Sequence, residues 1–113
     1  MTKQLKEDLS KARFMVSFIS LLSNETEGYE QAAEQMMNEV SKQPGFIAVY
    51  SARGENGIGI TNSYWSNIDA ISKWKSHPKH QKIQEKGKKS WYQWYKLQIC
   101  EIQRSYEGAI NTD

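Results

Sequence analysis

This chain has little to close, kink or anchor itself with. In 113 residues it carries one cysteine, Cys100, and two prolines, Pro44 and Pro78. A lone thiol closes no internal disulfide, so a reducing compartment is expected, and the neighbours Ile99 and Ile102 make Cys100 read as a small buried hydrophobe. No apolar run reaches the length of a membrane span, and the N-terminus shows no signal-peptide core. A cytoplasmic location and no membrane partner are therefore expected. Charge of one sign is also scarce: the net charge is +2, too mild to imply nucleic acid. There are only two histidines, His77 and His80, and no Gly-x-Ser-x-Gly elbow, phosphate loop or dinucleotide fingerprint.

Aromatic residues are plentiful by contrast: four Trp, six Tyr and three Phe. They give a 113-residue chain enough burial for one domain, although at this size a dimer would be a natural supplement. Residues 1–12 read as a polar arm, either loose or a short helix. Residues 13–107 read as the domain and 108–113 as a tail. Lys73, Lys75, Lys79, Lys82, Lys86, Lys88 and Lys89 crowd one region. A solvated helix face and an attraction for anionic ligands both fit them.

The stretch from Arg13 to Ser23 is rich in β-branched and aromatic residues and predicts a strand. Phe14, Val16, Phe18 and Leu22 fall on one side of it, and Met15, Ile19 and Leu21 on the other. A helical stripe of Tyr29, Ala32, Ala33, Met36 and Val40 follows and stops at Pro44-Gly45. Phe46–Arg53 and Ile58–Trp65 predict a hairpin across Gly54–Gly57. Ile68–Lys75 reads as a short helix, and a longer one opens at Pro78 with Ile83, Gly87, Trp91 and Trp94 along one stripe. Tyr95–Tyr106 reads as the last strand, with a slip in alternation near Cys100. The order β-α-β-β-α-β predicts an α+β, ferredoxin-like antiparallel sheet with helices on one face. The doubly apolar first strand predicts that the other face is covered too, most simply by a second copy in a homodimer.

The stretch "SYWSNIDAISKWKSHPKHQ" gathers Trp65, Trp74 and both histidines. His77 and His80 have metal-compatible spacing, but no third ligand is evident, so no metal is expected and His77 reads as a helix cap. Aromatics and lysines lie on opposite helix stripes, which is a core pattern rather than a stacking platform for nucleic acid. Trp65, Trp74, Tyr64, Asn62, His80 and Trp91 would make an aromatic pocket with few polar groups; each aromatic could equally be core.

The segments "TEGYEQAAEQMMNEVSKQPGF", "GITNSYWSNIDAISKWKSHPKHQ" and "WYQWYKLQICEIQRSY" resemble the antibiotic biosynthesis monooxygenase family, from Phe14 to Tyr106. The resemblance implies a dimeric α+β barrel. It also implies oxidation of a small phenol- or quinol-type substrate by dioxygen, with neither metal nor flavin. His80 is then expected as general base, with Asn62 and Trp65 as donors to developing negative charge. Trp74 and Trp91 would form walls, and Tyr64, Gln84 and Phe18 further substrate contacts. A haem-degrading branch of the family is the alternative. There Trp74 keeps a family Trp, but Gln84 stands where the iron-ligating His belongs and Phe18 near the position of the strand Asn; the lysines would suit haem propionates. A non-catalytic barrel holding a small molecule is the third reading.

Overall fold

The computed structural model describes residues 3–5 and 9–108, with side chains from Leu9 onward. Its strands are β1 (Lys3–Leu5), β2 (Phe14–Leu22), β3 (Phe46–Arg53), β4 (Ile58–Trp65) and β5 (Tyr92–Glu101); its helices are α1 (Tyr29–Val40), α2 (Ile68–Lys75) and α3 (Pro78–Lys86). The strands form one sheet in the order β1-β3-β4-β2-β5, with every neighbour antiparallel. The four long strands give the ferredoxin-like arrangement. No helix among the described residues is long and apolar enough to cross a membrane.

Local chemistry explains most boundaries. α1 ends at Val40 with Ser41 as its C-cap, and Gly45, with φ 87, turns the chain into β3 in a conformation open to glycine. Asn67 caps α2 by accepting from the Ala70 N–H at 2.8 Å, and His77 caps α3 by accepting at Nδ1 from the Lys79 N–H at 3.2 Å. Pro78 takes the first position of α3, where its missing N–H costs nothing.

Four expectations are corrected. The last strand runs Tyr92–Glu101, three residues earlier at its start than Tyr95 and ending well before Tyr106. Helix α3 ends at Lys86 and passes into a π-type turn over Gly87–Trp91. Trp94 therefore leaves the helical stripe it was assigned to and lies 51% exposed on β5. A Trp91-to-Trp94 spacing of three suits a helix, but the aromatic-rich run that follows favours a pleated sheet. The irregularity expected near Cys100 lies elsewhere: Cys100 pairs in register with Met15, and the bulge falls at Gln93, opposite Leu21/Leu22. In the N-terminal arm, Lys3–Leu5 pairs as a strand with Val49–Ser51 instead of lying loose or helical.

The pairing register sorts the sheet faces. Phe14, Val16, Phe18 and Ser20 share the helix-covered face with Trp65, Ser63, Thr61 and Gly59 of β4 and with Glu101, Ile99, Leu97 and Tyr95 of β5. The core there joins Trp65, Trp74, Ala70, Ile71 and Val40, with Phe14, Val16, Met36 and Phe46 packed against it. The opposite face carries Met15, Ile19 and Leu21 with Tyr64, Asn62, Ile60 and Ile58. Leu9, Ala12 and Ile102 pack over one end of it, with Ala48, Tyr50 and Tyr64. Ile58, Ile60 and Trp94 stay exposed.

Candidate functional site

At one end of the covered face, α2 and α3 bring Trp74 and His80 together. Trp74 sits on the inward side of α2 and is buried. His80 follows one turn into α3, and its imidazole stacks on the Trp74 indole with centroids 4.4 Å apart and planes 12° from parallel. Its Nδ1 lies 3.0 Å from the Trp74 carbonyl oxygen. A carbonyl only accepts, so Nδ1 carries the proton and Nε2 keeps the lone pair. No hydrogen bond within the described residues uses Nε2. Burial holds this imidazole below the usual histidine range; the Trp74 carbonyl pulls the other way, and His77 adds slightly to the depression. The neutrality of His80 thus comes chiefly from burial.

The remaining aromatics divide between core and cleft. Trp65 is 1% exposed, packs edge-on against Phe46, and donates its Nε1–H to Ser63 Oγ at 2.9 Å. Trp91 is equally buried and donates to the Glu27 carbonyl at 2.9 Å. Both indole donors are spent inside the chain, whereas no hydrogen bond among the described residues takes that of Trp74. Phe18 lies mid-strand on the covered face, against Tyr92 and Tyr95. Beyond it, Leu97 and Ile99 of β5 face the helix side yet stay about half exposed, so α3 leaves this edge of the face open. Gln84 lines a shallow outer groove of about 530 Å³ with Pro78, Gln81, Lys82, Glu85 and Lys88.

Asn62 and Tyr64 are not part of this assembly. Both project from the opposite face of the sheet, because each lies an odd number of residues from Ser63 or Trp65 on β4. There Tyr64 meets Tyr50 edge-on, and the Asn62 Oδ1 is buried without a hydrogen-bond partner among the described residues. The structure therefore groups His80 and Trp74 with Trp65, Phe18 and Trp91 on one face, and separates Asn62 and Tyr64 from them. His77 is occupied as a cap, and among the described residues no three His, Cys, Asp or Glu side chains converge as metal ligands.

A second group at the far end of the covered face escaped the sequence reading. Arg53 donates from Nη2 to Ser20 Oγ at 2.8 Å and to the Tyr29 hydroxyl at 2.9 Å, and from Nη1 to the carbonyls of Gly57 at 2.6 Å and Ser20 at 3.2 Å. Its Cζ also sits 5.5 Å from the Tyr29 ring centroid. Tyr92 lies edge-on to Tyr29, and burial, with Tyr29 beside it, pushes the Tyr92 phenol up. One sequence signal pointed here. Gly59, in a strand interior, marks a close approach: a Cβ on it would meet the Arg53 Cζ at 2.4 Å. Gly87 has the same explanation, since its Cβ would meet the Tyr92 ring at 2.7 Å.

Comparison with known proteins places these features in a family. The family model for antibiotic biosynthesis monooxygenase matches residues 14–86. An uncharacterised Bacillus subtilis protein, YqjZ, is 41% identical over 100 residues, covering 88% of each chain. SnoaB of Streptomyces nogalater, described as a cofactor-independent oxygenase, superposes with TM-score 0.71 at 10% identity, over 83% of this chain and 96% of that one. Protein SO0527 of Shewanella oneidensis gives 0.72 at 10% identity, over 90% and 97%. At such identities the last two likenesses speak for the fold alone.

Proposed function

This chain belongs to the antibiotic biosynthesis monooxygenase family, and from that premise we propose that it oxidises a small phenol- or quinol-type substrate with dioxygen, without metal or flavin. The carrying observation is His80: its tautomer is set by the Trp74 carbonyl, its burial keeps it neutral, and Nε2 is left to take a proton. Deprotonation makes the substrate its own reductant. One atom of dioxygen enters the ring carbon, the other leaves as water, and all four electrons come from the substrate as a ring methylene becomes a carbonyl. Trp74 supplies a wall and a free indole donor for the developing negative charge. Trp65 and Trp91 act as packing beneath it, and Phe18 as the floor.

One observation supports a homodimer through the open sheet face: Ile58, Ile60 and Trp94 form an exposed apolar strip. Asn62 and Tyr64 then serve the interface rather than the substrate. Sedimentation at micromolar concentration checks this: a well-folded monomer sinks it. The unpaired Cys100 suits the reducing cytoplasm.

Haem degradation is the weaker reading: His80 Nε2 is available to iron, but the positions that the family resemblance assigns to haem are altered. Gln84, at the position of the iron ligand, offers an amide and lines the outer groove, and Phe18 offers no donor at all. Haem titration followed by absorbance tests this, with one haem bound per chain and a Soret band lost under ascorbate as the contrary outcome. For the oxygenase reading the test is dioxygen uptake across a panel of quinols and anthrone-type phenols. His80→Gln should lower turnover about a hundredfold or more while keeping the fold, on the scale of general-base catalysis. Unchanged turnover ends the assignment, and no uptake with any substrate favours a silent binding barrel.

A further inference from the structure

We propose that Arg53, with the hydroxyls of Tyr29 and Tyr92, forms an anion-binding subsite that receives the carboxylate or oxyanion of an aromatic ligand at the end of the covered face remote from His80. The proposal deepens the oxygenase reading by naming the ligand's charge and pose, and it rests on that reading for the chemistry alone.

The argument begins with charge. A guanidinium does not lose its proton in a protein, so Arg53 is a permanent cation on a half-buried strand end. Burying such a charge is costly unless an opposite charge answers it. Here every partner is neutral: two carbonyls, a serine hydroxyl and a phenol. Among the described residues no carboxylate pairs with Arg53, although Glu27 and Glu30 flank Tyr29 in sequence; both are exposed. The four Nη hydrogens are all spoken for, which fixes the guanidinium plane, and Nε–H has no partner among the described residues.

The phenols turn this fixed cation into a recognition group. The Tyr29 oxygen accepts from Arg53, so its own hydrogen is polarised and directed elsewhere. The Tyr92 hydroxyl hydrogen-bonds with that of Tyr29, and burial together with this contact keeps Tyr92 protonated. The phenolic hydrogen that this pair leaves free, backed by a positive charge, is suited to an oxyanion. Aromatic walls adjoin it directly: Tyr29 meets Trp91 at 5.5 Å, and Phe18 meets Tyr92 at 5.4 Å and Tyr95 at 5.8 Å. Tyr95 is 41% exposed, so the group borders the open edge of the face rather than a sealed core.

Placement along β2 sets the ligand's span. Val16 packs in the Trp74 cluster, and Ser20 holds Arg53. Four residues of strand separate them, or about 13 Å at the usual rise. A ligand of fused rings lying over Phe18 would then present its anion to Arg53 and its acidic position to His80. The two charges are handled at opposite ends, so binding an anion at one does not oppose proton removal at the other through direct contact.

The test reads binding without turnover. Under anaerobic conditions 2-naphthoate and its neutral isostere 2-naphthamide are titrated against the protein by calorimetry and Trp fluorescence. Naphthoate should bind at least about tenfold tighter, the scale of one charge-assisted hydrogen bond. Arg53→Gln should erase that preference, and Tyr92→Phe should weaken naphthoate several-fold while sparing the amide. Lys88→Ser with Lys89→Ser should leave the preference intact. Preference surviving Arg53→Gln, preference lost with the two lysines, or no naphthoate binding at millimolar concentration would each overturn the proposal. Should Arg53→Gln fail to fold, Tyr92→Phe gives the answer, since an unchanged preference there also overturns it. Dioxygen uptake on neutral quinols that persists without anion preference would sink the subsite and leave the oxygenase reading standing.

Discussion

The two ends of the helix-covered face are built from different materials. At one, Trp65, Trp74, Ile71 and Val40 close an apolar core, and His80 stacks on its Trp74. At the other, Arg53 is held by hydroxyls and carbonyls among tyrosines, with no compensating acid among the described residues. The first end lowers a pKa by excluding water; the second fixes a charge by organising dipoles. In the reaction we propose, they separate proton removal from charge stabilisation along one strand. The first end should therefore dominate stability, and the second should respond to ligands.

The largest expected effect breaks the dry end. Trp65 is 1% exposed and touches the core from β4. Trp65→Ala should cost about 3–5 kcal/mol, the range for deleting a buried indole, and leave Ser63 without its donor. Chemical denaturation measures it. A loss below about 1 kcal/mol would mean that the core relaxes around the hole and that the contrast between the ends is overstated.

A smaller effect is expected at the polar end. In Gly59→Ala the new methyl displaces a guanidinium tied by four hydrogen bonds, because the Arg53 Nη atoms lie 2.6 and 2.7 Å from the Cβ position. Ser20, 1% exposed, loses its partner. About 1–3 kcal/mol of stability should go, the cost of leaving buried polar groups unsatisfied. The preference for anionic ligands should go with it. Stability lost without any change in ligand preference would show Arg53 to be a clamp only.

Sequence alone revealed these two ends unequally. The hairpin at Phe46–Arg53 and Ile58–Trp65 and the helix Ile68–Lys75 were legible to the residue, because their period and punctuation agree. Near Gly87 they conflict: a helical spacing of Trp91 and Trp94 overlaps a strand-forming run, and the chain resolves it with a π-type turn and a bulge. Trp74 and His80 were legible because they sit i, i+6 across a capped helix start. Asn62 was drawn into the same group only because it is near in sequence; the two-residue period of β4 sends it to the other face. Arg53 stayed hidden because an arginine before a turn looks like any solvated charge, and only the cross-strand pairing with Gly59 reveals what surrounds it.

The pH response sharpens the dry end. Because the folded-state pKa of His80 is depressed, the unfolded chain takes up its proton first as pH falls. The contribution to stability is whole above the unfolded value of about 6.5, declines as pH drops below it, and is gone below the folded value. Thermal melts from pH 8 to 5 should show this decline, and His80→Gln should flatten it. Activity should follow the same sense, falling on the acid side as Nε2 is protonated. A variant whose melts keep the full slope would place the acid sensitivity elsewhere.

The smallest effect lies outside both ends and serves as their control. Lys79 Nζ reaches Glu39 Oε1 at 2.9 Å, linking α3 to α1, with Lys42 at 3.9 Å from the same oxygen. Lys79 is 66% exposed in its side chain, while the stem of Glu39 is covered and its carboxylate meets water. The Lys79 hydrogen bond, more than its charge, holds the Glu39 carboxyl below the usual carboxylate range. That stabilisation is present above the unfolded carboxylate pKa and lost as pH falls through the folded one. Exposed pairs give up most of their attraction to water and to side-chain entropy. Lys79→Ala should therefore leave melts at pH 7.5, the affinity for naphthoate and the rate of dioxygen uptake where they are. A clear loss of stability would mean that α3 is held over the sheet by this contact more than by Trp74, and the dry end would no longer be the one that anchors the helix layer.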